Sequence, residues 1–458
     1  MKVPKAALVC VGSELLAGQV NTHQAWLSVR LLRAGFEMTG EVSVPDDVAR
    51  ISAEMRLALK EADLVVVCGG LGPTFDDLTR EAAAKALGRN LKFKPALWSV
   101  ILKRFARYHV KVPDENKRQA MVIEGADVLD NPNGSAPGQR LRAKGRTLIL
   151  LPGPASEMYP MFESVLPRLV RDHARGVHPA TFTARLAGVS ESIADEKLDA
   201  VRALWPKARF TILASGGEVA FHATSFERSP AAARAARARL RRDILAAVGE
   251  FAYGEGDDTL ESALGARLRE RRLTLAAAES CTGGLFGGRV TSVAGSSSYF
   301  LGGIVSYANA VKTRSLRVPV ALMKKHGAVS TECAAAMARG ARRALGADLG
   351  VSITGVAGPE GGTKGKPAGL VFVAVSGPGR AETVKKLEIN GPREAVRSRA
   401  VTAALRLVYD AAARLDKDLA AEDWEAMDKL VRRQTTAGAL SEYTSPREAK
   451  KHLLRPHK

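Results

Sequence analysis

Cysteine is scarce and scattered in this chain, with four in 458 residues at positions 10, 68, 281 and 333 and no C-x-x-C pair. That spacing excludes a disulfide framework and a structural zinc site, and it suits a reducing compartment. Aromatic residues are sparse too, at 5%, and they form no ladder with basic residues of the kind that grips single-stranded nucleic acid. No apolar run approaches the roughly 18 residues of a membrane span. The opening MKVPKAALVCVGSE turns polar too soon for a secretory signal. These absences lead to the expectation of a cytoplasmic protein with no membrane partner. Acidic residues are outnumbered, 48 against 68 Lys and Arg, giving a net charge of +20. The excess suits anionic ligands such as nucleotides. Much of it, however, is arginine spaced along Ala-rich stretches such as AAARAARARLRR, Ala231 to Arg242, which reads as a solvated helix face rather than a nucleic-acid site.

What the chain has is length and alternation. With 46% hydrophobic residues among 458, it can fill two or three separate cores. Ala6 to Val11 reads as a buried strand, Asn21 to Ala34 as an amphipathic helix ended by Gly35, and Met38 to Val44 as a second strand. A helix from Val48 to Lys60, the apolar strand DLVVVC ending at Cys68, a glycine loop and a helix from about Phe75 to Leu87 follow. Such alternation predicts a doubly wound parallel sheet, with ligands gathered beyond the carboxyl ends of its strands. The segment from about Thr181 to Tyr253 reads strand, helix, strand, strand, helix and carries no cluster of chemically active residues; it is expected to be a small structural or dimerising α+β module. The turn Gly254 to Asp258 reads as a linker.

Three loops lie at the carboxyl ends of the first three strands. They contain Glu14, then Asp46, then the run Gly69, Gly70, Gly72, Thr74, Asp76 and Asp77. Glycines there bring backbone N–H groups close to a phosphate. Carboxylates alone would repel that phosphate, so their presence points to a hard divalent cation held by one or two acids plus substrate oxygens. Helix capping accounts for Thr74 and Asp77 but leaves Glu14 and Asp46 unexplained.

A second constellation lies near the other end. AESCTGG places Ser280 between a β-type run and a glycine turn, where it either caps the helix beginning near Leu285 or stands exposed as a nucleophile beside free helix N–H groups. Tyr307 and Lys312 follow the next strand, and Thr354 ends the one after. Ser at one turn and Lys near the next suggest a Ser-Lys pair. For that chemistry Lys312 must be neutral near pH 7, which costs about 4 kcal/mol against its free value. Cys281 lacks a nearby His partner and reads as a small buried residue.

Both constellations carry a family resemblance. VGSELLAGQVNTH, CGGLGPTFDDLT, NPNGSAPG and LPGPASEM resemble, in order and spacing, the molybdopterin-binding-like domain of CinA proteins. AAESCTGGL, GSSSYFLGGIVSYANAVKT, HGAVST, ITGVAGPEGG and KPAGLVFVAV resemble the family's nicotinamide-nucleotide amidohydrolase domain. The resemblance implies an α/β protein with a molybdopterin-binding-type domain over 1–172 and the amidohydrolase domain over 255–415; between them the α+β middle module spans 173–254, and beyond them the basic tail over 416–458 has no counterpart in the family pattern. It further implies hydrolysis of nicotinamide mononucleotide to the nicotinate nucleotide and ammonia, with no cofactor. In that scheme Ser280 is the nucleophile and Lys312 its base, while Tyr307, Ser297 and Thr354 orient the amide or sugar phosphate. The loop holding Gly355 and Gly358 binds phosphate in that scheme, and Arg393 and Arg397 match as phosphate or dimer contacts. For the first domain it implies a metal-dependent pyrophosphatase acting on ADP-ribose, with Asp46 and Asp77 on the acidic positions, Gly69, Gly70 and Gly72 on the phosphate loop, and Glu14, Asp46, Asp76 and Asp77 as ligands for Mg²⁺ or Co²⁺. A homodimer is implied as well. Two departures stand out: Asn21-Thr22-His23 replaces the more usual Asn-Thr-Asn, and Asn390-Gly391-Pro392-Arg393 replaces Gly-Asp-Arg, which leaves the orientation of Arg393 open. The competing reading is an interaction protein of competence or DNA damage with weak or vestigial activity.

Overall fold

The computed structural model describes residues 2–106, 112–378 and 381–415, so the tail read above lies outside the described residues. The chain divides into two compact units: Met1–Thr181 with Thr224–Arg239, and Phe182–Ala223 with everything from Leu240 onward. Among the described residues no helix is long and apolar enough to cross a membrane.

In the first unit the strands are β1 (Lys5–Val11), β2 (Glu37–Val44), β3 (Leu64–Cys68), β4 (Leu91–Phe93), β5 (Met121–Ile123), β6 (Asp127–Leu129), β7 (Gly138–Ala143) and β8 (Arg146–Leu151). Six of them form a sheet in the order β2-β1-β3-β8-β7-β6. The first four run parallel, and β7 and β6 add an antiparallel edge. In the central strand LVVVC every residue is buried, because both faces of the sheet are covered. Val65 and Val67 belong to one apolar cluster, while Leu64, Val66 and Cys68 belong to the other. This is the physical signature of a doubly wound sheet.

The expected helix from Phe75 begins later, at Thr79. The Asp77 carboxylate accepts from Gly72 N–H (2.7 Å), Thr74 N–H (2.8 Å) and the Thr74 hydroxyl, so residues 74–77 close a turn ahead of the helix. Thr74 and Asp77 therefore interact inside a loop, and neither side chain caps the helix.

The middle segment has the expected order, with β9 (His178–Ala187), β10 (Arg209–Ser215) and β11 (Glu218–Glu227) interleaved with helices Glu191–Leu204 and Pro230–Val248. The stretch read as a linker, Gly254 to Asp258, begins inside a strand and turns only after Glu255. β12 (Ala252–Glu255) pairs with β9, aligning Gly254 with Arg185 and Glu255 with Ala184, because the edge of β9 offers ladder partners that a short sequence window does not reveal.

The rest of the second unit holds β13 (Leu275–Glu279), β14 (Phe300–Val305), β15 (Leu349–Gly355), β16 (Leu370–Ser376) and β17 (Glu382–Glu388), in the order β14-β13-β15-β16-β17. β14, β13 and β15 are parallel and the last two antiparallel. β13 alternates between two clusters, with Leu275 and Ala277 on one face and Ala276 and Ala278 on the other. Its small alanines admit close helix packing on both sides. As a result, residue 280 emerges at the carboxyl edge between two parallel neighbours.

Candidate active sites

Ser280 is clamped where it leaves β13. Its N–H donates to Ile353 O of β15 (2.9 Å), while Ser306 N–H, just past β14, donates to Glu279 O (2.7 Å). Helix Asn309–Leu316 then brings Lys312 back beneath the turn. Lys312 Nζ lies 3.0 Å from Ser280 Oγ, 2.6 Å from Ser306 O and 3.3 Å from Tyr307 O. Lys312 is only 1% exposed and Ser280 8%. Nζ thus donates toward three oxygens, and on losing its proton it keeps two N–H groups for the two carbonyls and turns its lone pair to the serine hydroxyl. Burial lowers the Lys312 pKa from 10.5, against a smaller opposing effect of the Cys333 and Cys281 thiols. Cys281 itself is pushed up to about 11, chiefly by burial, and is a poor thiolate.

Two arginines cover the turn. The helix Arg393–Arg414 starts directly after Pro392. Arg393 donates to Gly358 O (2.9 Å) and to the Tyr307 hydroxyl (3.1 Å), and Arg397 donates to Thr282 O (2.9 Å). The acid missing from Asn390-Gly391-Pro392-Arg393 is thus not needed to orient Arg393, because a carbonyl and a phenol do so. Among the described residues, Thr282 Oγ1 and Arg397 Nε are buried without a hydrogen-bond partner.

Four expectations need correction. The helix N–H groups at Gly284, Phe286 and Gly287 do not await an oxyanion; the buried Glu279 carboxylate takes all three, at 3.0, 3.0 and 2.9 Å. Glu279, and not Ser280 or Thr282, satisfies the helix start. Sequence reasoning passed over it, although an acid at a strand end ahead of Gly-Gly and a helix is a capping signal. Ser297 is exposed and precedes β14, whereas Ser280 follows the parallel β13, so within one chain the two lie at opposite ends of the sheet. The Thr354 hydroxyl already donates to Ala328 O (2.8 Å), which makes it a tether for that loop rather than a free donor. Gly355 lies inside β15, paired with Val371. The next residue, Val356, spends its N–H on Leu370 O. That N–H is therefore closed to phosphate.

In the first unit the loops after β1, β2, β3 and β8 line a cleft of about 440 Å³. It brings together Glu14, Asp46, Gly69, Gly70, Gly72, Thr74, Asp76 and Asp77. Gly69 has φ +100°, and a Cβ there would lie 2.1 Å from Val11 O, so only glycine fits. The loop carbonyls are tied to the following helix: Thr79 donates to those of Gly69 and Gly70, and the buried Arg80 donates to those of Leu71 (2.7 Å) and Gly72 (2.8 Å). Burial pulls the Arg80 guanidinium down to about 10, with Glu81 and Asp77 opposing. Arg80 is a second residue missed, since nothing in DDLTRE distinguishes a buried arginine from a surface one.

The four-carboxylate metal set is not formed. Among the described residues no three His, Cys, Asp or Glu side chains group as a metal site requires. Asp77 is spent on the loop, and Asp46 accepts from Ser13 N–H and Oγ, both at 2.8 Å.

Comparison with known proteins agrees with both halves. The CinA C-terminal domain matches residues 257–412, and the family described as "Probable molybdopterin binding domain" matches residues 7–171. A Moorella thermoacetica protein named for competence-damage induction is 42% identical over 409 residues, covering 88% of this chain and 98% of that one. A CinA-like protein of Thermotoga maritima is 38% identical over 403 residues, covering 88% and 96%. The solved CinA structure from Thermoplasma acidophilum is 32% identical, covering 36% of this chain and 98% of that one with a TM-score of 0.35. Two domain matches in chain order, and relatives alike along nearly their whole length, mean that the chain belongs to the CinA family.

Proposed function

We propose that the second unit hydrolyses the carboxamide of nicotinamide mononucleotide to nicotinate mononucleotide and ammonia. One observation carries this reading: a buried lysine amine 3.0 Å from a serine hydroxyl, at the carboxyl edge of a parallel sheet. Ser280 Oγ attacks the amide carbon as its proton passes to Lys312 Nζ. The tetrahedral intermediate collapses with cleavage of the C–N bond, and Lys312 returns the proton to the departing nitrogen as ammonia leaves. Water, deprotonated by the same amine, then cleaves the acyl ester and frees Ser280. With the helix N–H groups occupied by Glu279, the N–H groups of Cys281 and Thr282 take the oxyanion role. Arg393 and Arg397, held over the turn, meet the nucleotide phosphate. Ammonia release by wild type and its absence in Ser280→Ala is the test. An interaction protein with vestigial activity would instead release none from either form at any pH or metal content.

The first unit is proposed as an ADP-ribose pyrophosphatase, on the strength of a glycine loop whose carbonyls are tied to Thr79 and Arg80. Glu14 and Asp76 are the cleft carboxylates not spent on loop donors. They would meet Mg²⁺ or Co²⁺ arriving with the pyrophosphate, where the cation neutralises phosphate charge. Glu14→Gln is the cleaner test of this site than any change at Asp77, which holds the loop.

A further inference from the structure

The middle segment is tied to the serine site through one side chain. Arg289 lies in helix Leu285–Thr291, whose first N–H groups are held by Glu279. Its guanidinium reaches acceptors on three different elements. Nη2 donates to Glu218 Oε1 of β11 (2.7 Å), Nη1 to Thr402 Oγ1 of helix Arg393–Arg414 (2.7 Å), and Nε to the Glu261 carboxylate. Glu218 and Thr402 are each used twice. The second Glu218 oxygen accepts from the Tyr253 hydroxyl (2.5 Å), and the Thr402 hydroxyl, 1% exposed, donates to Gly216 O (2.8 Å). Tyr253 O in turn accepts from the Tyr409 hydroxyl of the same long helix (3.1 Å). These contacts close a ring that runs from Arg289 through Glu218, Tyr253 and Tyr409, then back along the helix to Thr402.

A tight hairpin builds the ring. β10 and β11 are joined by Gly216 and Gly217 alone, with φ +60° and +89°, the positive values a two-residue turn of this kind requires. The turn presents Gly216 O to Thr402 and the Glu218 carboxylate to Arg289. Arg406, one turn further along the helix, adds the carbonyls of Ala187 (2.8 Å), Glu250 (2.7 Å) and Phe251. At about 100° per residue, Thr402, Arg406 and Tyr409 lie on the side of the helix opposite Arg393 and Arg397. One side is therefore gripped by the middle segment, while the other holds two arginines over the Ser280 turn. Only about two and a half turns separate Arg393 from Thr402, so any rotation at the ring moves both guanidiniums.

We propose that this hairpin positions the phosphate grip of the serine site: Glu218 and Thr402, joined through Arg289, fix the rotation of the long helix and hence the reach of Arg393 and Arg397. Glu218 is a positioning residue that acts through the helix. The inference rests on the reading of those two arginines as phosphate ligands.

Calorimetric titration of the full chain with nicotinate mononucleotide and with its phosphate-free nucleoside, neither of which carries an amide to hydrolyse, tests it. Wild type should bind the nucleotide more tightly. Glu218→Ala should weaken the nucleotide about tenfold, the worth of one charge-assisted hydrogen bond, and leave the nucleoside unchanged. Glu218→Gln, which keeps an acceptor for Arg289, should recover most of the loss. Thr402→Val, which removes the link to Gly216 and keeps the hairpin charge, should repeat the pattern of Glu218→Ala. In ammonia release, KM for nicotinamide mononucleotide should rise in both with kcat held within about twofold. Thermal unfolding reports whether each variant folds, and Thr402→Val decides the matter where Glu218→Ala does not. Unchanged nucleotide affinity overturns the positioning role, and so does equal weakening of nucleotide and nucleoside, the mark of general loosening. Equal affinity of wild type for the two ligands, or binding of neither, overturns the phosphate role of the arginines and this inference with it. Wild type that binds the nucleotide yet releases no ammonia from the amide overturns the hydrolysis alone.

Discussion

At the scale of single residues, the proposed amide hydrolysis turns on the protonation of Lys312. Burial favours its neutral form, so its pKa in the folded chain lies below 10.5. The neutral fraction grows as pH rises, and kcat/KM for nicotinamide mononucleotide should climb with pH and level off below that value. A climb continuing to about 10.5 would mean an ordinary lysine. Stability carries the same sign. Between the folded and unfolded pKa values the unfolded chain binds more protons at this position, so stability should rise with pH across that window. Lys312→Met should flatten that rise in denaturant titrations and reduce ammonia release by at least about a thousandfold. Glu279 makes a complementary prediction. Its carboxylate satisfies three backbone N–H groups, and bonds to a charged group contribute about 1.5–3 kcal/mol each. Glu279→Ala should cost at least about 4.5 kcal/mol of stability on that basis, read by chemical denaturation, with kcat falling more than KM rises because the Ser280 turn loses its anchor.

At the scale of elements, the strand-to-helix turns are the sensitive parts. The loop after β3 is held by Asp77 on one side and by Thr79 and Arg80 on the other, and Gly69 has no room for a Cβ. Gly69→Ala should destabilise the first unit by at least about 2 kcal/mol, visible in thermal unfolding, and abolish ADP-ribose hydrolysis. A fully active, equally stable variant would show that the loop tolerates a wholly different path. In the second unit the corresponding device is the clamp of Ser280 between β14 and β15. Helix packing on the alanines of β13 fixes that clamp, so Ser280 is positioned by main chain rather than by its own side-chain contacts.

At the scale of the whole molecule, each candidate site is built within one compact unit: residues from Val11 to Glu157 for the cleft, and residues from Glu279 to Arg397 for the serine site. Ser280→Ala should therefore remove ammonia release and leave ADP-ribose hydrolysis within about twofold, with Glu14→Gln doing the reverse. Loss of both activities in either variant would refute that independence.

The sequence by itself determined the α/β alternation, the glycine loop and the Ser-Lys pairing, because these depend on local periodicity and on residue types whose roles are narrow. Strands such as LVVVC and LAAAE have few other uses, and a glycine run after one of them can only be a close-approach turn. Tertiary structure alone decided who satisfies whom. That Glu279 caps the helix beside Ser280, that Asp77 is consumed by its own loop, that Arg80 is buried beneath the glycines, and that Ser297 lies at the far end of the sheet all depend on strand register and helix packing. Hydrogen-bond partners are chosen among groups brought together from distant positions, and no window of sequence contains that competition.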